Sequence, residues 1–133
     1  MTLKEKTHAL ILETNRDIIE TLSKILKRRS YTVTASSNKE VALGHLKERL
    51  YPLAVVGEAE GGVSPFEAMR EIVMTSPITS IILITELPEE EVSEKAEGYG
   101  ILGHVNRDIP SKDLLKLIKG FEEIFKSFSP ARS

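Results

Sequence analysis

Short apolar runs alternate along this chain with longer stretches in which apolar residues return every third or fourth position. The runs occupy residues 9–12, 31–35, 53–56, 81–85 and 101–105. Each is four or five residues long and rich in β-branched side chains, which predicts strands rather than helices. The first, third and fourth are almost continuously apolar, as expected of strands covered on both faces. The second alternates, with Thr32 and Thr34 on one side, and reads as an edge strand.

Between the runs the period becomes helical. Ile18, Leu22, Ile25 and Leu26 form one stripe, Phe66, Met69, Ile72 and Val73 a second, and Leu114, Ile118, Phe121 and Phe125 a third. Ser37 with Glu40 three residues on predicts a capping box opening a helix through Leu46. Ser111, after Pro110, is expected to cap the last helix. The weakest helix lies between Pro88 and Gly98, with Val92 and Ala96 inward and Glu89, Glu90 and Glu91 where a helix N-terminus favours negative charge. Five β-α units joined by right-handed crossovers make an α/β fold, a parallel sheet sandwiched by helices.

Composition narrows the function. The chain has 133 residues, 41% hydrophobic and 29% charged, enough for one self-sufficient domain. There are no cysteines, so disulfides, zinc knuckles, iron–sulfur clusters and thiol nucleophiles are excluded. A formal charge of −2 carries no basic field for nucleic acid. No apolar run is long enough to span a membrane and the N-terminus lacks the apolar core of a signal peptide, so a cytoplasmic protein is expected. Residues 1–126 read as the domain and 127–133 as a flexible tail or the start of a linker.

In an open parallel sheet, ligands gather at the carboxyl ends of the strands. Standing there are Glu13 and Thr14, Gly57 and Glu58, Thr85 and Glu86, and Arg107 and Asp108. Here the chain resembles a family. The segment LILETNRDI resembles the first strand and loop of a response-regulator receiver domain, the CheY-like module of two-component signalling. PLAVVG with the helix beginning at Pro65, the run from Ser80 to Leu87, and GHVNRDI resemble that family's third, fourth and fifth units. The resemblance covers roughly residues 7–125 and rests on spacing more than on any one motif. It implies a flavodoxin-like (βα)5 sandwich with strand order 2-1-3-4-5.

Receivers transfer a phosphoryl group onto an Asp after the third strand, with paired acids holding Mg²⁺ and a Thr/Ser and a Lys contacting the phosphoryl group. The resemblance places Glu13 and Thr14 at the paired acids, Gly57 at the phosphoacceptor, Thr85 at the Thr and Arg107 at the Lys. Glycine has no side chain to phosphorylate, and Glu13 alone is a poor Mg²⁺ site. No cofactor or metal is expected, and no enzymatic activity. Strand alternation is expected to turn Glu58 to the other side of the sheet. Glu13 and Arg107 are expected to converge as a bidentate pair that fills the vacated volume; the alternative is that both point into water.

His104 falls where receivers often carry a Tyr or Phe that moves with the Thr, so a proton-sensitive switch and an ordinary half-buried surface histidine are both open. His8 and His45 have no spaced ligand partners, Gly61 and Gly62 lack the companions of a phosphate loop, and no nucleophile motif or dinucleotide fingerprint is present. Phe121, Phe125 and Phe128 read as core, with an interface open to Phe128.

The resulting expectation is a receiver-like module without aspartyl phosphorylation, working through a signalling partner or output domain. Its contact face is expected on the fourth helix, fifth strand and fifth helix, at Val92, Lys95, Glu97, Tyr99, Lys112 and Lys116, with a homodimer as one use of it. The rival is a working phosphorelay receiver phosphorylated on Glu58. A small flavodoxin-like enzyme is the third reading.

Overall fold

The structure, a computed structural model, describes residues 7–127. Each β-α step is visible where the hydrophobic period changes. In chain order the elements are β1 (Thr7–Leu12), α1 (Arg16–Arg28), β2 (Tyr31–Ser36), α2 (Lys39–Glu48), β3 (Leu53–Val56), α3 (Pro65–Thr75), β4 (Ser80–Thr85), α4 (Glu89–Lys95), β5 (Gly103–Asn106) and α5 (Leu114–Ser127). All pairings are parallel and the sheet order is β2-β1-β3-β4-β5. This is the expected doubly wound, flavodoxin-like sandwich, with the threonine-bearing β2 at one edge.

Alternation along the strands divides the core. Leu10, Leu12, Ala54, Val56, Ile81 and Leu83 pack with residues of α2, α3 and α4. Ala9, Ile11, Leu53, Val55, Ile82, Ile84 and Val105 pack with residues of α1 and α5. The central strands are buried on both faces, which is why their sequences are unbroken apolar runs. Burying a large aliphatic side chain contributes roughly 1.5–3 kcal/mol, so these two layers supply most of the drive to fold.

Local signals set the helix starts. Asn15 and Ser64 each accept a hydrogen bond from the backbone N–H three residues on, and Pro65 occupies the first turn of α3. The capping box at Ser37 does not form. Asn38 caps α2 instead, accepting from Val41 N–H, while the Ser37 hydroxyl donates to Glu60. Ser111 does not cap the last helix either: α5 begins three residues later, after Asp113 takes a left-handed φ of 66°. The fifth strand also starts later than expected: Gly100 turns at φ 66°, the Leu102 N–H donates to Ile81 O, and the regular pairing with β4 begins at Gly103. Val92 and Ala96 are buried as expected, whereas Phe125 is 41% exposed and not core. Phe128 and the tail lie outside the described residues.

A long-range tie fastens α5 to the start of β2. Arg29 pairs with Glu122, and the Tyr31 hydroxyl donates to the same carboxylate at 3.0 Å. Among the described residues, no helix is long and apolar enough to cross a membrane.

Candidate functional site at the carboxyl ends of the strands

Glu13 follows β1 directly, and its N–H bonds to Ser36 O, which holds the residue in the extension of the sheet. Gly57 follows β3 in the same way, its N–H donating to Leu12 O at 2.7 Å. Arg107 follows β5, tethered by its N–H to Thr85 O. The ends of β1, β3 and β5 therefore deliver these residues to one point, with Arg107 reaching back past the end of β4.

There they form a closed set. Arg107 Nη1 donates to Glu13 Oε1 at 2.8 Å and Nη2 to Oε2 at 2.5 Å. The backbone N–H of Asn15 donates to Oε2 at 2.8 Å and that of Glu58 to Oε1 at 3.2 Å. Glu13 is fully buried, yet each of its oxygens has two donors. That is the condition under which a buried carboxylate is tolerated. The hydrogen bond to Glu13 holds the Arg107 guanidinium above its ordinary pKa; burial opposes this, and the charges of Glu13, Glu58 and Glu86 reinforce it. The expected Glu13–Arg107 pair is present, and neither side chain points into water.

Gly57 makes the pair possible. A Cβ at this position would lie 1.9 Å from Glu13 Oε1 and 3.4 Å from Arg107 Nη1. Its φ is not positive, so the backbone does not call for glycine here. Space does. The carboxylate of Glu13 occupies the volume into which any side chain at position 57 would begin to grow.

Glu58 departs from expectation. Its carboxylate does not turn to the other side of the sheet; it stays at this rim, 56% exposed, with an oxygen 3.7 Å from Arg107 Nη2. The reason is that β3 ends at Val56, so strand alternation no longer governs residue 58. Thr14 is exposed at the surface and Thr85 is buried, its hydroxyl oxygen accepting from Leu87 N–H at 3.1 Å. His104 is half-buried in β5, in register with Leu83.

The set does not fit a divalent cation. Both oxygens of Glu13 are taken by four N–H donors, Thr14 brings no carboxylate, and Arg107 supplies the positive charge. Among the described residues, no three metal-ligating side chains gather elsewhere.

Of the expected contact face, Lys95, Glu97, Lys112 and Lys116 are exposed and Tyr99 is half-buried. Val92 does not belong to it. It is 2% exposed, packed beneath α4 as part of the core.

Comparison with known proteins bears on this geometry. Structural similarity extends over 96% of the chain to the signal receiver domain of an HD domain-containing protein from Pseudomonas fluorescens Pf-5, with TM-score 0.79, 21% identity and 94% of that chain covered. This is the receiver fold. A CheY-like response regulator receiver domain protein from Methanospirillum hungatei JF-1 aligns over 92% of this chain and 99% of its own, with TM-score 0.78 and 19% identity. In sequence, 117 residues are 28% identical to the transcriptional regulatory protein YkoG of Bacillus subtilis, covering 86% of this chain. The chain spans 50% of the length of that curated relative. No family model matches.

Two features of the site escape sequence reasoning. The backbone donors of Asn15 and Glu58 carry no residue-type signal. The role of Gly57 as a space for a neighbour's carboxylate had one: a glycine after a strand with no turn signal around it.

Proposed function

We propose that this chain is a receiver domain of two-component signalling in which a preformed Glu13–Arg107 pair replaces the phosphorylation machinery. The observation that carries the reading is the 1.9 Å between Glu13 Oε1 and a Cβ at Gly57. The acceptor position has no side chain and no room for one while the pair is made. A buried bidentate pair anchored by two backbone N–H groups also favours a single arrangement of the β1, β3 and β5 ends. The module then signals by protein contact, to an output domain or a separate partner, from the face carrying Lys95, Tyr99, Lys112 and Lys116. Self-association through that face is one form of such contact. The exposed rim position of Glu58 favours one rival, acyl-phosphate formation on that carboxylate.

Incubation with Mg²⁺ and acetyl phosphate, followed by intact mass measurement beside a competent receiver, tests the proposal. Unchanged mass is expected. A stoichiometric, hydroxylamine-labile adduct mapping to Glu58 would replace the proposal with its rival.

A further inference from the structure

Beside the filled acceptor volume lies an open cleft of ≈ 320 Å³ between the start of α3 and the β4–α4 connection. Its lining joins an apolar floor of Pro65, Phe66 and Leu87 to polar groups of both signs. Three observations point to what it takes. Thr85 is 6% exposed and lines the cleft; its oxygen accepts from Leu87 N–H, while its hydroxyl proton finds no acceptor among the described residues. A buried donor without an acceptor is costly unless something outside the protein supplies one. Arg70 and Lys95 both border the cleft without an ion-pair partner among the described residues, and Lys95 Nζ stands 5.9 Å from the centre of the Phe66 ring. Of the acidic side of the lining, Glu58 has an oxygen 3.7 Å from Arg107, and Glu86 is exposed, without an ion-pair partner among the described residues.

We infer that this cleft binds a small amphipathic organic oxyanion, with its apolar body on Phe66 and Leu87 and its carboxylate or phosphate accepting from Thr85 between Arg70 and Lys95. The oxyanion gives the Thr85 hydroxyl an acceptor and meets the two cations that have no ion-pair partner among the described residues; the apolar body explains the floor, which inorganic phosphate would leave bare. The size suits a ligand of modest dimensions. Occupancy brings one ligand against α3, the β4–α4 connection and the end of α4, so it couples a metabolite-sized signal to the flank of the contact face. The inference goes beyond the reading of Gly57 and does not depend on it.

The test uses 3-phenylpropionate as probe and 3-phenylpropanamide as its neutral counterpart, each titrated into the protein while backbone amide resonances are followed. The Leu87 amide, bonded to Thr85 Oγ1, is the direct reporter. Saturable shifts at Leu87, Phe66 and Lys95 are expected with the acid, and binding weaker by about tenfold with the amide, a factor equivalent to about 1.4 kcal/mol. Arg70→Gln and Lys95→Gln replace exposed side chains, so the fold is retained; each is expected to weaken the acid by at least threefold. Thr85→Val, checked by its melting temperature, is expected to remove the Leu87 shift. Equal affinity for acid and amide, unchanged affinity in both cation variants, or shifts gathered at Leu50 and Ile78 at the other end of the sheet would each overturn the inference. An acyl-phosphate adduct, by contrast, would overturn only the reading of Gly57.

Discussion

Two bidentate arginine–glutamate pairs tie distant parts of this chain together, and their surroundings differ. Arg107 reaches back 94 residues to Glu13, and Arg29 forward 93 residues to Glu122. The first pair has side chains 13% and 0% exposed, the second 34% and 28%. Glu122 shares its carboxylate with a tyrosine hydroxyl at the edge of the molecule. Glu13 shares its own with two backbone N–H groups and is fully buried. The comparison teaches that the same chemistry is a fastening in one place and an obligation in the other. An exposed pair contributes little and can be lost; a buried one cannot be halved without stranding a charge.

The largest expected effect follows from that. Arg107→Ala leaves the Glu13 carboxylate buried without its cation and is expected to cost about 3–5 kcal/mol, a fall in melting temperature on the order of 10 °C. Combining Glu13→Leu with Arg107→Met removes both charges, and the double variant is expected to recover most of that loss. A double variant no more stable than Arg107→Ala would show that packing rather than charge holds the site.

Gly57→Ala is next, at about 2–3 kcal/mol, because its methyl must displace the carboxylate that Arg107 holds. Gly44 in α2 is the control: a Cβ there meets nothing within 4 Å, so Gly44→Ala should stabilise by about 0.5–1 kcal/mol. If urea unfolding moves the two variants in the same direction, the steric account of Gly57 fails.

Arg29→Ala is expected to cost less than about 1 kcal/mol and to matter least at high salt. A loss matching that of Arg107→Ala would erase the comparison altogether.

The smallest effect concerns pH. Burial, then the charge of Glu122 and the hydrogen bond to it, hold the Tyr31 phenol proton above its ordinary value of 10.0. The folded state binds that proton more tightly than the unfolded one, so the contribution is whole below pH 10 and is lost as pH rises beyond it. Unfolding midpoints should therefore fall more steeply above pH 10 in the wild-type protein than in Tyr31→Phe.

Much of the fold was legible because strands and helices write different periods. The runs at residues 9–12, 53–56 and 81–85 sit in strands buried on both faces, and Val92 and Ala96 turn inward as their spacing predicts. Helix starts were less legible, since Ser37 and Asn38 are both good caps and only the path of the chain chose between them. Ser37 went to Glu60 because the loop after β3 brings that carboxylate to it. Val92 shows the limit of transferring a contact face by resemblance: it occupies a position on α4 that the core claims.

By itself the sequence determined the layer architecture, the absence of a phosphorylatable side chain at position 57, and the identity of the two charges able to replace it. Tertiary structure decided the rest. Whether Glu13 and Arg107 meet depends on how far apart the ends of β1 and β5 lie across the twisted sheet, a distance no local pattern encodes. Where Glu58 points depends on β3 ending at Val56, two residues before it, so that strand alternation does not reach it. The cleft in which the Thr85 hydroxyl meets Arg70 and Lys95, neither with an ion-pair partner among the described residues, exists only as a juxtaposition of segments far apart in the chain. Periodicity is a local property of a chain, whereas a site is a coincidence of strand and helix ends, fixed only once the sheet has closed.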